Sequence, residues 1–174
     1  MREHGRTEQA RRDGRLPGLP FRTERRVFES MRTLRAWALV AVTGAASWYG
    51  MMIVHELGHV AGAWLSGGRV ARVVLSPLAK SRTDLSEHPI PMFVVWSGPV
   101  LGAAAPVVLW LAARVARVRL AFLLQAFAGF CLIANGVYLA SAVVMPVGDA
   151  EEILRLGTPL WIVAVVGIVG VAAG

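Results

Sequence analysis

The chain has 174 residues, 56% of them hydrophobic, with a mean hydropathy of +0.57 and a formal net charge of +7. Its apolar residues gather into four long runs and do not alternate with polar ones as half-buried strands or surface helices would, which excludes an ordinary soluble domain and indicates an integral membrane protein. The single cysteine, Cys131, excludes an intrachain disulfide and a thiolate metal site, and reads as small apolar filler.

Residues 1–35 carry ten arginines against five acidic residues, or +5 of the net charge, around the glycines and prolines of DGRLPGLPF. This composition predicts a basic, flexible cytosolic arm that sets orientation and touches anionic headgroups of the bilayer. It lacks interleaved aromatic residues and a folded recognition element, so no nucleic-acid partner is expected. The apolar runs follow at about residues 36–66, 90–113, 120–145 and 158–173. A crossing needs roughly 20 apolar residues, so the first three qualify, while the fourth is a thin span or a partial one. The first run is not a secretion signal, since it starts after 35 residues, is too long, and continues past its polar HELGH segment. The expected fold class is an all-α polytopic membrane protein, with three core transmembrane helices plus a short fourth in residues 36–174.

Between the first two runs, GGRVARVVLSPLAKSRTDLSEHP favours a small β-hairpin. Val70, Val73 and Leu75 suit a strand and Ser76-Pro77 a turn, although alternation is poor. The loop charges suggest sidedness. Arg114, Arg117 and Arg119 make the second loop +3, whereas Asp149, Glu151 and Glu152 against Arg155 leave the third at −2. With a cytosolic N-terminus, the second loop then lies inside and the third outside; the first, at +2, agrees least. Trp37 and Trp110 fall near the expected inner interface and Trp64 and Trp161 near the outer one.

The stretch MMIVHELGHVAGAW places His55, Glu56 and His59 well inside the first run. Histidines four apart share one helical face, so both imidazoles can reach one metal ion while Glu56 stays free to take a proton from water. Ionisable groups that deep in an apolar helix carry a solvation penalty that calls for a partner, and a zinc ion suits all three. Gly58 leaves room against the site, Gly62 with Ala61 and Ala63 admits a neighbouring helix, and Gly67-Gly68 is a stop signal.

Two histidines leave a tetrahedral zinc short of one protein ligand and one open position. Asp149 is the expected third ligand, because the third run travels the same way as the first and ends at MPVGDAEE, where Pro146 and Gly148 break the helix and turn a carboxylate inward. Glu151 and Glu152 read as a solvated acidic loop, and His88, before Pro89, as an interfacial residue. Asn135 lies 14 residues before Asp149, about 21 Å along a straight helix, so helix packing is its favoured role unless the chain folds back near Pro146.

In this combination the chain resembles the site-2 protease family of intramembrane zinc metalloproteases. HELGH at 55–59 is similar to the family's zinc-binding and general-base motif, Ser97-Gly98-Pro99 to the glycine-proline element of its middle core helix, and Pro146–Ala150 to the region carrying its aspartate ligand. The family's leucine before that aspartate and glycine after it are Gly148 and Ala150 here, and its asparagine has no counterpart at the usual spacing. The resemblance covers about residues 48–150. It implies zinc held by His55, His59 and Asp149, Glu56 as the catalytic base, and an edge strand after the first core helix that either holds substrate or covers the site.

The expected function is thus a zinc-dependent intramembrane endopeptidase acting on a membrane-embedded or membrane-proximal protein or peptide. It would sit in the cell membrane with its site toward the extracytoplasmic side, with room for a homo-oligomer or a regulatory membrane partner. Two alternatives stay open: a non-proteolytic membrane protein that keeps a structural or regulatory metal site, and a small transporter component.

Overall fold

A computed structural model describes residues 21–76 and 81–174, with side chains from residue 28 onward. Residues 1–20 of the expected arm, and Pro77 and Lys80 of the hairpin connection, lie outside the described residues. The chain divides into two compact units at Ala45–Ala46.

Helix α1 spans Phe21–Leu65 and so takes in residues 21–35, which composition had assigned to the arm. The segment RTERRVFESMRTLR is built from strong helix formers, so the helix starts well before the apolar run does. In the first unit the helix exposes Leu34, Trp37, Leu39, Val40 and Val42, a surface that hydrocarbon tolerates and water does not.

The second unit contains the rest. Helix α1 ends as the glycines predicted: Gly67 takes φ +78°, Gly68 N–H donates to Ala63 O at 2.7 Å and Gly67 N–H to Trp64 O at 3.1 Å, closing the orphan carbonyls. The chain then forms an antiparallel hairpin of β1 (Arg69–Val74) and β2 (Arg82–Glu87). Register shifts beside Val70 explain the poor alternation of this stretch. Arg72 pairs across the strands with Asp84, and its guanidinium, with that of Arg82, holds the exposed Asp84 carboxyl below its usual range.

Helix α2 (Pro91–Val115) starts on a proline, whose missing N–H costs nothing in a first turn. Helix α3 (Ala121–Ala140) continues through a 3₁₀ turn at Ser141–Val143. The acidic segment expected as a loop is instead a short helix, α4 (Asp149–Arg155), in which Glu152 bonds Arg155 one turn on, and the chain closes with α5 (Leu160–Ala173). Among the described residues, three helices are long and apolar enough to cross a membrane, over Phe28–Leu65, Pro91–Val115 and Ala121–Val143, and α5 is a shorter apolar helix of 14 residues.

Among the described residues, two apolar clusters hold these elements together. Met51 and Met52 of α1 pack with Cys131, Phe127 and Phe130 of α3. Ala150 and Ile153 of α4 are buried with Val95 of α2, Leu139 of α3 and Val163 of α5, which seats the short helix among three others. Helix α5 also approaches α3 backbone to backbone: a Cβ at Gly136 would stand 2.6 Å from Gly167 O and 2.7 Å from Val171 N. In a bilayer, where lipid tails are as apolar as leucine, such close packing would supply the contact that a hydrophobic driving force supplies in water.

Gly136→Val should therefore lower unfolding stability in detergent by about 1–3 kcal/mol, the usual cost of overpacking. Gly44→Ala, where a Cβ meets nothing within 4 Å, should be neutral or mildly stabilising in the same denaturation series.

Candidate metal centre

The helical spacing of His55 and His59 puts the two rings on one face of α1, with centroids 5.0 Å apart. The neighbouring helix is cut to fit them. A Cβ at Gly58 would stand 2.5 Å from Ser97 O, one at Gly62 would overlap the Ser97 side chain, and one at Gly98 would overlap the His59 ring. The small residues noted in both motifs thus let α1 and α2 meet at the histidines.

Asp149 arrives from the far side. The helix of α3 stops, the chain turns through Pro146 and Gly148 (φ +61°), and Asp149 begins α4 with its carboxylate facing the imidazoles. Its Oδ2 stands 2.8 Å from His55 Nε2 and 3.3 Å from His59 Nε2, and the two Nε2 atoms are 3.3 Å apart. The side chains of His55, His59 and Asp149 are 12%, 9% and 25% exposed, so this meeting takes place largely out of water.

The second nitrogen of each ring is also committed. His59 Nδ1 lies 2.9 Å from Val94 O, a carbonyl that can only accept, so Nδ1 carries the proton. Asn135 donates its amide N–H to Cys131 O at 2.9 Å, which turns Oδ1 toward His55 Nδ1 at 2.8 Å and makes that nitrogen a donor too. Both Nε2 atoms then direct lone pairs at a carboxylate oxygen. Three acceptors at such distances repel one another unless positive charge lies among them.

Protons or a metal ion can supply that charge. As ion pairs, the histidines act on Asp149 directly: burial opposes its charge, but the hydrogen bonds and positive charge of His55 and His59 prevail and hold the carboxyl well below the usual carboxylate range. As a metal site, the three residues place their ligand atoms within 4.8 Å of one another. Three ligands about 2.0 Å from a tetrahedral ion stand roughly 3.3 Å apart, close to two of the three spacings here.

Glu56 is buried at 4% exposure and accepts a 2.7 Å hydrogen bond from Thr83 Oγ1 of β2. It shares with His59 and Asp149 an open cleft of about 390 Å³, whose rim includes Arg82, Asp84, His88 and Glu152. Every site residue expected from sequence therefore lies at this place: His55, His59 and Asp149 in mutual contact, and Glu56 beside them. His88 is an exposed rim residue and not one of the converging groups, and Glu152 is engaged with Arg155. Ser141 donates its hydroxyl to Tyr138 O and lines an apolar groove with Ile168 and Val171, away from the cleft.

Asn135 corrects the straight-helix estimate. Because the chain folds back after Ala140, Asn135 and Asp149 both reach His55, one at each nitrogen. Thr83, Val94 and Tyr138, whose hydroxyl accepts from Asp149 N–H at 2.7 Å, carry no local sequence signal that marks them for the site. No protein-family model matches the chain, and no curated protein or solved structure does either.

If these residues hold a metal, Asn135→Ala, which removes the partner of His55 Nδ1, and Gly98→Ala, whose Cβ would overlap the His59 ring, should each weaken its binding about 10- to 100-fold. Chelator competition on detergent-purified protein reads this directly. Cys131→Ala keeps the carbonyl that orients Asn135 and should leave the affinity unchanged.

Proposed function

We propose that this protein is a zinc-dependent endopeptidase of membrane-embedded or membrane-proximal protein segments, working as the site-2 proteases do. The observation that carries the reading is a two-histidine, one-aspartate donor set, of which His59 and Asp149 line one cleft together with a separate buried carboxylate, Glu56. Zinc suits such a set, since two histidines and a carboxylate with one open position are a hydrolytic arrangement in which the ion polarises a carbonyl and acidifies water. His55 and His59 would hold it through Nε2 and Asp149 through its carboxylate.

Glu56 is left for proton transfer. It would accept the proton of the attacking water and pass it to the leaving amine, while Thr83 steadies one of its oxygens. A substrate helix keeps its carbonyls bonded internally and must unwind locally before one can enter the site. The hairpin beside the cleft offers a strand along which an unwound segment could pair. The loop charges favour a cytosolic N-terminus and a site toward the extracytoplasmic side.

A second reading rests on the same contacts. His55 and His59 each stand within ion-pair distance of Asp149, as they would in a protonated path through a transporter component.

The deciding measurement is zinc per chain in detergent-purified wild type, Glu56→Gln and Asp149→Ala, followed by chelator-sensitive cleavage of membrane-tethered peptides. About one zinc is expected in wild type and in Glu56→Gln, with clear loss in Asp149→Ala. Cleavage by Glu56→Gln should fall about 10²- to 10⁴-fold, the usual contribution of a general base. Well-folded wild type without zinc would overturn the metalloprotease reading and favour the protonated path.

A further inference from the structure

The third ligand is carried by the least regular part of the fold. Residues 144–148, between the 3₁₀ turn and α4, belong to no helix or strand; Pro146 has no N–H to donate, and Gly148 sits at a positive φ. Asp149 is the first residue of α4, so its N–H has no intrahelical acceptor, and Gly148 at the N-cap has no side chain to provide one.

Tyr138 supplies what this turn lacks. Its hydroxyl accepts from Asp149 N–H at 2.7 Å and donates to Val147 O at 3.1 Å, bridging the backbone on both sides of Gly148. Its ring meets His55 edge-on, with centroids 6.1 Å apart and planes at 77°. One side chain of α3 thus bears on the first ligand through its ring and on the third through its hydroxyl. Aspartate is short, so the position of its main chain decides whether its carboxylate reaches the imidazoles.

Building on the metal reading above, we propose that Tyr138 is a positioning residue for the metal centre: its hydroxyl clamps the Val147–Asp149 turn and thereby sets the third ligand opposite His55 and His59. Tyr138 contributes no ligand atom and acts through Asp149. The clamp takes the place of a helix cap and ties the end of the third long helix to the ligand carried by the turn that follows it.

Tyr138→Phe is the direct test, because it removes the hydroxyl and keeps the ring against His55. The full chain in detergent would be titrated with zinc alone against a calibrated chelator, as wild type, Tyr138→Phe, Asp149→Ala and the double variant, with far-UV circular dichroism confirming equal helix content. Tyr138→Phe should bind zinc about 10- to 100-fold more weakly than wild type, the range typical of contacts that orient a ligand. In the Asp149→Ala background the same change should have no further effect, since the residue through which it acts is gone. Unchanged affinity in Tyr138→Phe would overturn the clamp and leave the metal site standing. An equal loss in both backgrounds would overturn it too, by revealing a general structural role. A wild type that binds no zinc would remove the metal reading itself, and the clamp's purpose with it.

Discussion

Two imidazole nitrogens and a carboxylate oxygen, held 2.8–3.3 Å apart and mostly shielded from water, repel one another until positive charge lies among them. The second unit is arranged to maintain that convergence. Each ring is gripped at its outer nitrogen by an acceptor on a different helix, Val94 O of α2 and Asn135 of α3, so neither imidazole can turn its lone pair away. Asp149 is held by its place at the head of α4, whose Ala150 and Ile153 are buried among three neighbours. A cation among the three would relieve the repulsion and at the same time tie α1 to α4.

The packing is the complement of this electrostatics. Where α1 meets α2, Gly58, Gly62 and Gly98 remove side-chain volume at the level of the histidines, so His59 can reach a main-chain carbonyl. Where α3 meets α5, Gly136 and Gly167 bring two backbones into contact behind Asn135. The hairpin then adds the Thr83 hydroxyl on Glu56. Scaffold and chemistry therefore meet at shared positions: the residues that let the helices close are the ones that let the polar groups touch.

Much of this was legible in the sequence, for identifiable reasons. Apolar runs longer than a bilayer crossing reveal helices whatever their neighbours do, and the histidine pair and Asp149 could be matched because a helix fixes their spacing and topology their side. The failures came where the chain departs from regular geometry. Asn135 looked about 21 Å from Asp149 because a straight helix was assumed, and the chain instead breaks and returns. The acidic loop proved to be a helix because Ala150 and Ile153 bury one face of it, a tertiary gain that local composition does not display. Thr83 was hidden by a hairpin whose bulged register spoils alternation.

The anchor of His59 has an evolutionary consequence. It is a main-chain oxygen of α2, and no codon specifies it. Residue 94 could drift among apolar side chains of similar size without weakening that hydrogen bond, so variation at this position would say little about its importance, and alanine scanning would pass over it. What selection can act on is the path of the backbone. The record of this contact should therefore lie in the residues that shape the path, such as Gly58, Gly62 and Gly98, rather than at the atom that makes it. A site built this way is robust to the commonest kind of mutation at its contact point and fragile to a gain of a single methyl group a few residues away.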